Sequence, residues 1–208
     1  MARVSENFEC NFPSMKQSEL HNPVIFVVDM VNGFVKEGAL HDEAINDITP
    51  AIVDFIKDGI DRSVFIADSH PPKTREFNSY PSHCVIGTSE SEIISELTPY
   101  VQEVIRKNST NTFTAPGFQT FVKEELSKYN DIVITGCCTD ICILQFALCL
   151  NSWLNEHNAQ QQRVIVPVDM VDTFHIDGAH DCVVINEFSL LNMQANGITI
   201  VSTIERGK

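Results

Sequence analysis

Basic side chains are scarce in this sequence. Fourteen lysines and arginines stand against 28 aspartates and glutamates, a formal charge of -14 over 208 residues. So acidic a chain repels phosphate backbones, and no basic run offsets the repulsion, which argues against a nucleic-acid partner. No apolar run approaches the length of a membrane-spanning helix, which argues against a membrane partner as well. The opening stretch, MARVSENFECNFPSMKQSEL, lacks the apolar segment and cleavage pattern of an export signal. Seven cysteines, an odd number with no C-x-x-C pair among them, fit reduced thiols in a cytoplasm better than a disulfide framework. No repeat, low-complexity tract or linker divides the chain. One domain is therefore expected over residues 1–208, with 1–22 as an arm on its surface. What these absences leave is a globular protein handling a small molecule.

The chain alternates regularly between apolar runs and amphipathic ones. VIFVVDM (24–30) is continuous and β-branched, the pattern of a buried strand. Further strands are predicted at 63–68, 101–107, 131–136, 163–169 and 197–203. Helices are predicted at 43–57, where Ile45, Ile48, Ile52, Phe55 and Ile56 share one face, and at 90–97, 118–129, 139–157 and 179–196. Six strands alternating with helices, several nearly all apolar, specify an α/β fold: a three-layer αβα arrangement around a six-stranded, mostly parallel sheet. The loop SHPPKTREFNSYPSHCVIGT after the second strand is longer than a connection requires, which points to function.

In an open parallel sheet, ligands sit beyond the carboxyl ends of the strands. Those ends carry Asp29 on the first strand, Asp68 and then His70 on the second, and Lys107 on the third. The fourth runs into GCCTDIC (136–142). Singly, Asp29 reads as a turn cap and Lys107 as a solvated charge. Free cysteines are mostly small buried hydrophobes, the role expected for Cys10, Cys84, Cys149 and Cys182. Together, four strands supply an acid, metal-ligand types, an amine and a thiol to one edge. As zinc ligands, Cys137, Cys138 and Cys142 lack a second knuckle, and their spacing is not that of a thioredoxin-like pair. A nucleophile fits better. With Thr139 or Asp140 as N-cap, Cys142 falls in the first turn of the long helix, where free N–H groups and the dipole lower a thiol's pKa. A nearby Lys107 acts in the same direction.

An aspartate ending the first strand, a lysine ending the third and Gly-x-x-Thr-Asp-x-Cys opening a helix resemble the isochorismatase-like cysteine hydrolases, over about Val24 to Ser202. With DSH, a glutamate and YPSHCVIGT, the chain is most similar to the nicotinamidases within that family. The resemblance implies a parallel six-stranded sheet and a triad of Asp29, Lys107 and Cys142 that hydrolyses nicotinamide to nicotinate and ammonia through a thioester. It also implies a cis peptide at Cys137–Cys138, with the backbone N–H groups of Cys138 and Cys142 serving an oxyanion. Asp68, His70, Glu76 and His83 match the metal ligands of the nicotinamidases, so the resemblance implies one divalent ion, zinc, manganese or iron. The alternative makes Glu76 a solvated loop charge and His83 a capping residue. Phe34 and Tyr80 are the residues suited to stack on a flat ring. Val31 replaces the family's usual glutamine and Tyr80 a common tryptophan, which touches substrate identity more than reaction type. The small-molecule amide has a rival within the fold: ureido, carbamoyl or biuret-like amides, cleaved without metal. A non-catalytic member and a redox sensor built on the adjacent thiols stay open too. Family members often form homo-oligomers, and that is expected here.

Overall fold

Val24–Val28, Ser63–Asp68 and Asp131–Cys137 are buried at every position. That is what continuous apolar runs produce in a sheet covered on both faces. The computed structural model describes residues 1–8, 11–57 and 60–206; Cys10 lies outside them. The chain forms, in order, β1 (Met15–Lys16), β2 (Val24–Val28), α1 (Asn32–Val35), α2 (Thr49–Lys57), β3 (Ser63–Asp68), β4 (Glu103–Lys107), α3 (Pro116–Glu124) and β5 (Asp131–Cys137). Then come α4 (Leu144–Glu156), β6 (Arg163–Pro167), β7 (Val171–Asp172), α5 (Cys182–Ala195), β8 (Thr199–Val201) and β9 (Ile204–Glu205).

The sheet order is β4-β3-β2-β5-β6-β8, with every pairing parallel. The six expected strands are joined by a seventh, the two-residue β7 beside β5, while β1 and β9 pair separately. Alternation along β2 divides the core. Val24, Phe26 and Val28 face Phe118 and Phe121 of α3, Phe146 and Leu150 of α4 and Leu190 of α5, whereas Ile25 and Val27 face Ile52 and Phe55 of α2. The strand order reverses between β2 and β5, and such a reversal opens a crevice at the carboxyl edge. Gly136 lets the two strands close there. Its φ is +107°, and a Cβ would lie 2.0 Å from the Val28 carbonyl oxygen, so only glycine fits.

Three expectations are corrected. Residues 90–97 do not form one helix: a short 3-10 turn ends at Ser91, Ile93 bridges Val31 in antiparallel fashion and the Ile94 N–H donates to the Met30 carbonyl at 3.1 Å. These tertiary hydrogen bonds replace the helical ones, with Ile94 and Leu97 buried beneath. The long helix from Thr139 begins as a π-helical turn, Thr139–Ile143, and its N-cap position is Cys138 without a side-chain cap. Neither Thr139 nor Asp140 caps it. The last helix starts at Cys182, where Asp181 accepts from the N–H groups of Val183 and Val184. No helix among the described residues is long and apolar enough to cross a membrane.

Candidate active site

The residues singled out at the strand ends converge in the crevice. Asp29 follows β2 directly, with φ at +54°, a conformation that aspartate and asparagine tolerate better than most residues. Its Oδ1 accepts the Asp68 N–H at 2.9 Å, which ties the exit of β2 to that of β3. Lys107, the last residue of β4, places Nζ 2.8 Å from Asp29 Oδ2 and 2.7 Å from Asp68 Oδ1. The same ammonium lies 3.7 Å from Cys142 Sγ, so the thiol and the Asp29 carboxylate border one cation. Asp29, Lys107 and Cys142 are all buried. An acid from one strand, an amine from another and a thiol beyond a third thus meet, as the strand-end reading anticipates.

Burial sets the protonation states. Desolvation raises Asp29 to about 6 against the pull of Lys107. Lys107 stays charged: burial disfavours its cation, but Asp29 and Asp68 together raise its pKa well above the ordinary value. Burial also pushes the Cys142 thiol well above its usual range, opposed by Lys107 and reinforced by Asp29 and Asp68. The expectation of a thiol acidified by a helix start is therefore not met. The resting sulfur keeps its proton, and the neighbouring carboxylate is the group able to take it. Cys137 and Cys138 are joined by a cis peptide bond. Ile141 and Ile143 both donate their N–H to the Cys138 carbonyl at 3.1 Å, which occupies the amides on either side of Cys142. The Cys137 thiol donates to the Asp29 carbonyl at 3.2 Å, a side-chain role that the sequence does not reveal. Cys84 and Cys182 are buried as expected; Cys149 is only half-buried, its sulfur 3.1 Å from Asn111 Nδ2.

Beside the triad, one ligand atom each from Asp68, His70, Glu76 and His83 lies within 4.8 Å of the others. His70 Nε2 and His83 Nε2 stand 3.0 and 3.3 Å from Asp68 Oδ2, and Glu76 Oε1 is 3.9 Å from His70 Nε2. Their outer partners set the tautomers. His83 Nδ1 meets the Pro81 carbonyl at 2.8 Å, an oxygen that only accepts, so Nδ1 carries the proton. His70 Nδ1 meets Asn108 Oδ1 at 2.8 Å, and that oxygen also accepts from the Thr74 hydroxyl. Both imidazoles turn Nε2 toward Asp68 Oδ2. Two imidazole nitrogens and two carboxylates converging on one point are the ligand types of a divalent cation, and backbone or amide acceptors behind the imidazoles are how proteins orient metal ligands. The four residues fit a divalent ion. Asn108 carries no signal in the sequence: it is the residue after Lys107, and nothing in its immediate neighbours marks it.

A cavity of about 170 Å³ opens onto both groups, and Phe34, Tyr80, Asp68, His83, Cys138 and Cys142 contribute to its lining. The expected aromatic residues thus reach the pocket. Its far wall was not anticipated: Leu40, Ile141, Phe174 and Ile176 line it too. Phe174 is stacked on His180, with ring centroids 3.9 Å apart. His180 in turn is held by Asp140 at 3.1 Å, and Asp140 accepts from the Thr173 hydroxyl at 2.5 Å. Asp140 therefore braces the pocket wall instead of capping the helix.

Comparison with known proteins agrees with this architecture. The Arabidopsis thaliana protein named Nicotinamidase 1 is 32% identical over 167 residues, 71% of this chain and 65% of the plant protein. The chain thus matches just under two thirds of that relative's length. Among solved structures, PnC1 from L. infantum in complex with nicotinate superposes with a TM-score of 0.72 at 17% identity, covering 94% of this chain and all of the other. N-carbamoylsarcosine amidase from Thermoplasma acidophilum gives 0.64 at 24% identity, covering 89% and 99% of the two chains. Both likenesses are of fold. The isochorismatase domain model matches residues 23–205, from the first central strand to the last short one, and the chain belongs to the isochorismatase domain family.

Proposed function

We propose that this chain is a cysteine amidohydrolase that converts nicotinamide to nicotinate and ammonia. The observation that carries the reading is one cavity bordered by two groups. A buried thiol and a carboxylate whose pKa is raised to about 6 flank one ammonium, and beside them stand four ligands suited to one cation. Asp29 accepts the proton from Cys142 Sγ as the sulfur attacks the carboxamide carbon. Charge develops on the carbonyl oxygen, and the N–H groups of Cys138 and Cys142 are the proposed donors to it. Asp29 passes its proton to the departing nitrogen, the C–N bond breaks, and ammonia leaves a thioester on Cys142. A water then gives a proton to Asp29 and attacks the thioester carbonyl. The C–S bond breaks, nicotinate is released and the proton returns to sulfur. Throughout, Lys107 keeps Asp29 and Asp68 neutralised and faces the sulfur when it becomes anionic.

Asp68, His70, Glu76 and His83 are the residues that hold a zinc, manganese or iron ion in this reading. Bound there, the ion supplies a Lewis-acidic site for a ring nitrogen and so orients the substrate. Phe34 and Tyr80 flank the ring. The name carried by the Arabidopsis relative supports nicotinamide among amides.

The test is ammonia release from nicotinamide by the purified protein, beside Cys142→Ala and a chelator-stripped sample. Release that disappears in both controls is expected. Absence of release from metal-replete protein with a reactive thiol overturns nicotinamide as substrate and turns the search to ureido, carbamoyl and biuret-like amides.

A further inference from the structure

The wall that carries Phe174 is not anchored by the family-matched part of the chain alone. Arg3 belongs to the N-terminal arm, outside the matched region 23–205. Its backbone N–H and Nε donate to the two oxygens of Asp172, at 3.2 and 2.9 Å. Its outer nitrogen donates to Asp42 Oδ2 at 3.0 Å and to the Thr173 carbonyl. The arm itself is seated: Ala2 is buried and donates to the Val168 carbonyl at 2.9 Å, and the Arg3 carbonyl accepts from Asn186 at 3.0 Å.

Asp172 and Asp42 mark the bases of two loops. The first leads directly into Phe174, His175 and Ile176; the second ends the run of Ala39, Leu40 and His41. All six side chains border the cavity. Asp172 is buried, and desolvation raises its pKa against the pull of Arg3. Without the guanidinium, the two carboxylates lose their shared partner, and among the described residues one direct hydrogen bond remains between the loops, the His175 N–H to Asp42 Oδ2 at 3.0 Å. Arginine's rigid fork reaches two carboxylates and a carbonyl from two separate nitrogens, a spread that lysine's single ammonium does not reproduce.

We propose that Arg3 is a positioning residue that latches the two pocket loops together and so sets how closely the cavity fits its substrate. The catalytic pair at the far side of the cavity does not touch it. Loss of the latch therefore weakens substrate binding more than the chemical step. This inference rests on the amidohydrolase reading for its kinetic arm only.

The experiment compares wild type with Arg3→Ala, Arg3→Lys and Asp42→Ser. Serine still caps the following turn, where Asp42 accepts from Ala44, but is too short to reach the guanidinium. For Arg3→Ala, KM for nicotinamide is expected to rise about tenfold with kcat within about threefold. Asp42→Ser should share that direction, and Arg3→Lys should recover only part of the loss. The second readout needs no substrate: the ratio of Cys142 alkylation rates for a bulky maleimide and for iodoacetamide. An opened latch raises that ratio in Arg3→Ala and in Asp42→Ser. If nicotinamide is not hydrolysed but the ratio rises, the latch stands and the substrate reading falls. An unchanged KM and an unchanged ratio in folded Arg3→Ala, whatever its melting temperature, overturn the latch, because a merely structural arm would alter stability alone.

Discussion

Lys107→Met tests whether the buried ammonium holds the site together. Its Nζ lies 2.8 Å from Asp29 and 2.7 Å from Asp68, and all three side chains are at most 2% exposed. Methionine fills the space and removes the charge, leaving two carboxylates out of water. Removing one partner of a buried pair costs about 3–5 kcal/mol. For a domain of this size each kcal/mol lowers the melting temperature by about 2–4 °C, so a fall of about 10 °C is expected. The melt is run on chelator-treated protein, where no cation compensates Asp68. Lys36→Met is the control. Lys36 pairs with Glu96 at 2.6 Å, but both side chains are more than a third exposed, and such a pair is worth about 0–1 kcal/mol. The decisive variant is the double, Asp29→Asn with Lys107→Met. Asparagine keeps the acceptor for the Asp68 N–H and tolerates the positive φ of position 29. It should regain much of the lost stability while ammonia release stays at background. A single variant melting within about 3 °C of wild type, or a double no more stable than the single, would refute the reasoning.

Cys142→Ala should fold, bind metal at wild-type stoichiometry by elemental analysis and release no ammonia; measurable turnover would remove Cys142 as nucleophile. Asn108→Ala takes away the acceptor behind His70. It should weaken metal affinity about 10- to 100-fold in a competitive chelator titration, and unchanged affinity would argue against His70 as a ligand. Gly136→Ala drives a Cβ to within 2.0 Å of the Val28 carbonyl oxygen at a φ of +107°. Soluble folded yield should fall steeply, and a wild-type melting curve would contradict the tight seam between β2 and β5.

How much of this was legible in the sequence follows from where each signal is stored. The central strands announce themselves because both faces are buried, so an unbroken run such as VIFVV has few other readings. The strand ends were legible for a related reason: a charged residue closing an apolar run has to meet something at the carboxyl edge. Asp29, Asp68 and Lys107 do meet there. Residues 90–97 defeated the same logic. Ile93, Ile94 and Leu97 carry helical spacing, yet Val31 and Met30 claim the backbone of Ile93 and Ile94, and no local pattern distinguishes the two outcomes. The thiol's environment was misjudged because burial is a tertiary quantity. The first turn of a helix acidifies a cysteine only when water or a dominant cation is near, and at Cys142 desolvation outweighs Lys107.

The pocket's far wall is the part least visible from sequence. Phe174, His180, Asp140 and Thr173 make one cluster across some forty positions, and Arg3 reaches Asp172 across 169. None of these residues is unusual in its own neighbourhood. The chemistry of a doubly wound sheet is written where strands end, because topology forces those ends together. The shape of its pocket is written in loops and arms that the sheet does not constrain. Reaction type is therefore the more legible property and substrate fit the less legible one. Two chains with the same Asp29–Lys107–Cys142 arrangement can accept different amides if their latches differ. Transferring the Arg3–Asp42–Asp172 set into a relative that lacks it should tighten that enzyme's KM toward small flat amides without raising kcat. A gain in kcat alone would place the arm's influence on the chemistry instead of the fit.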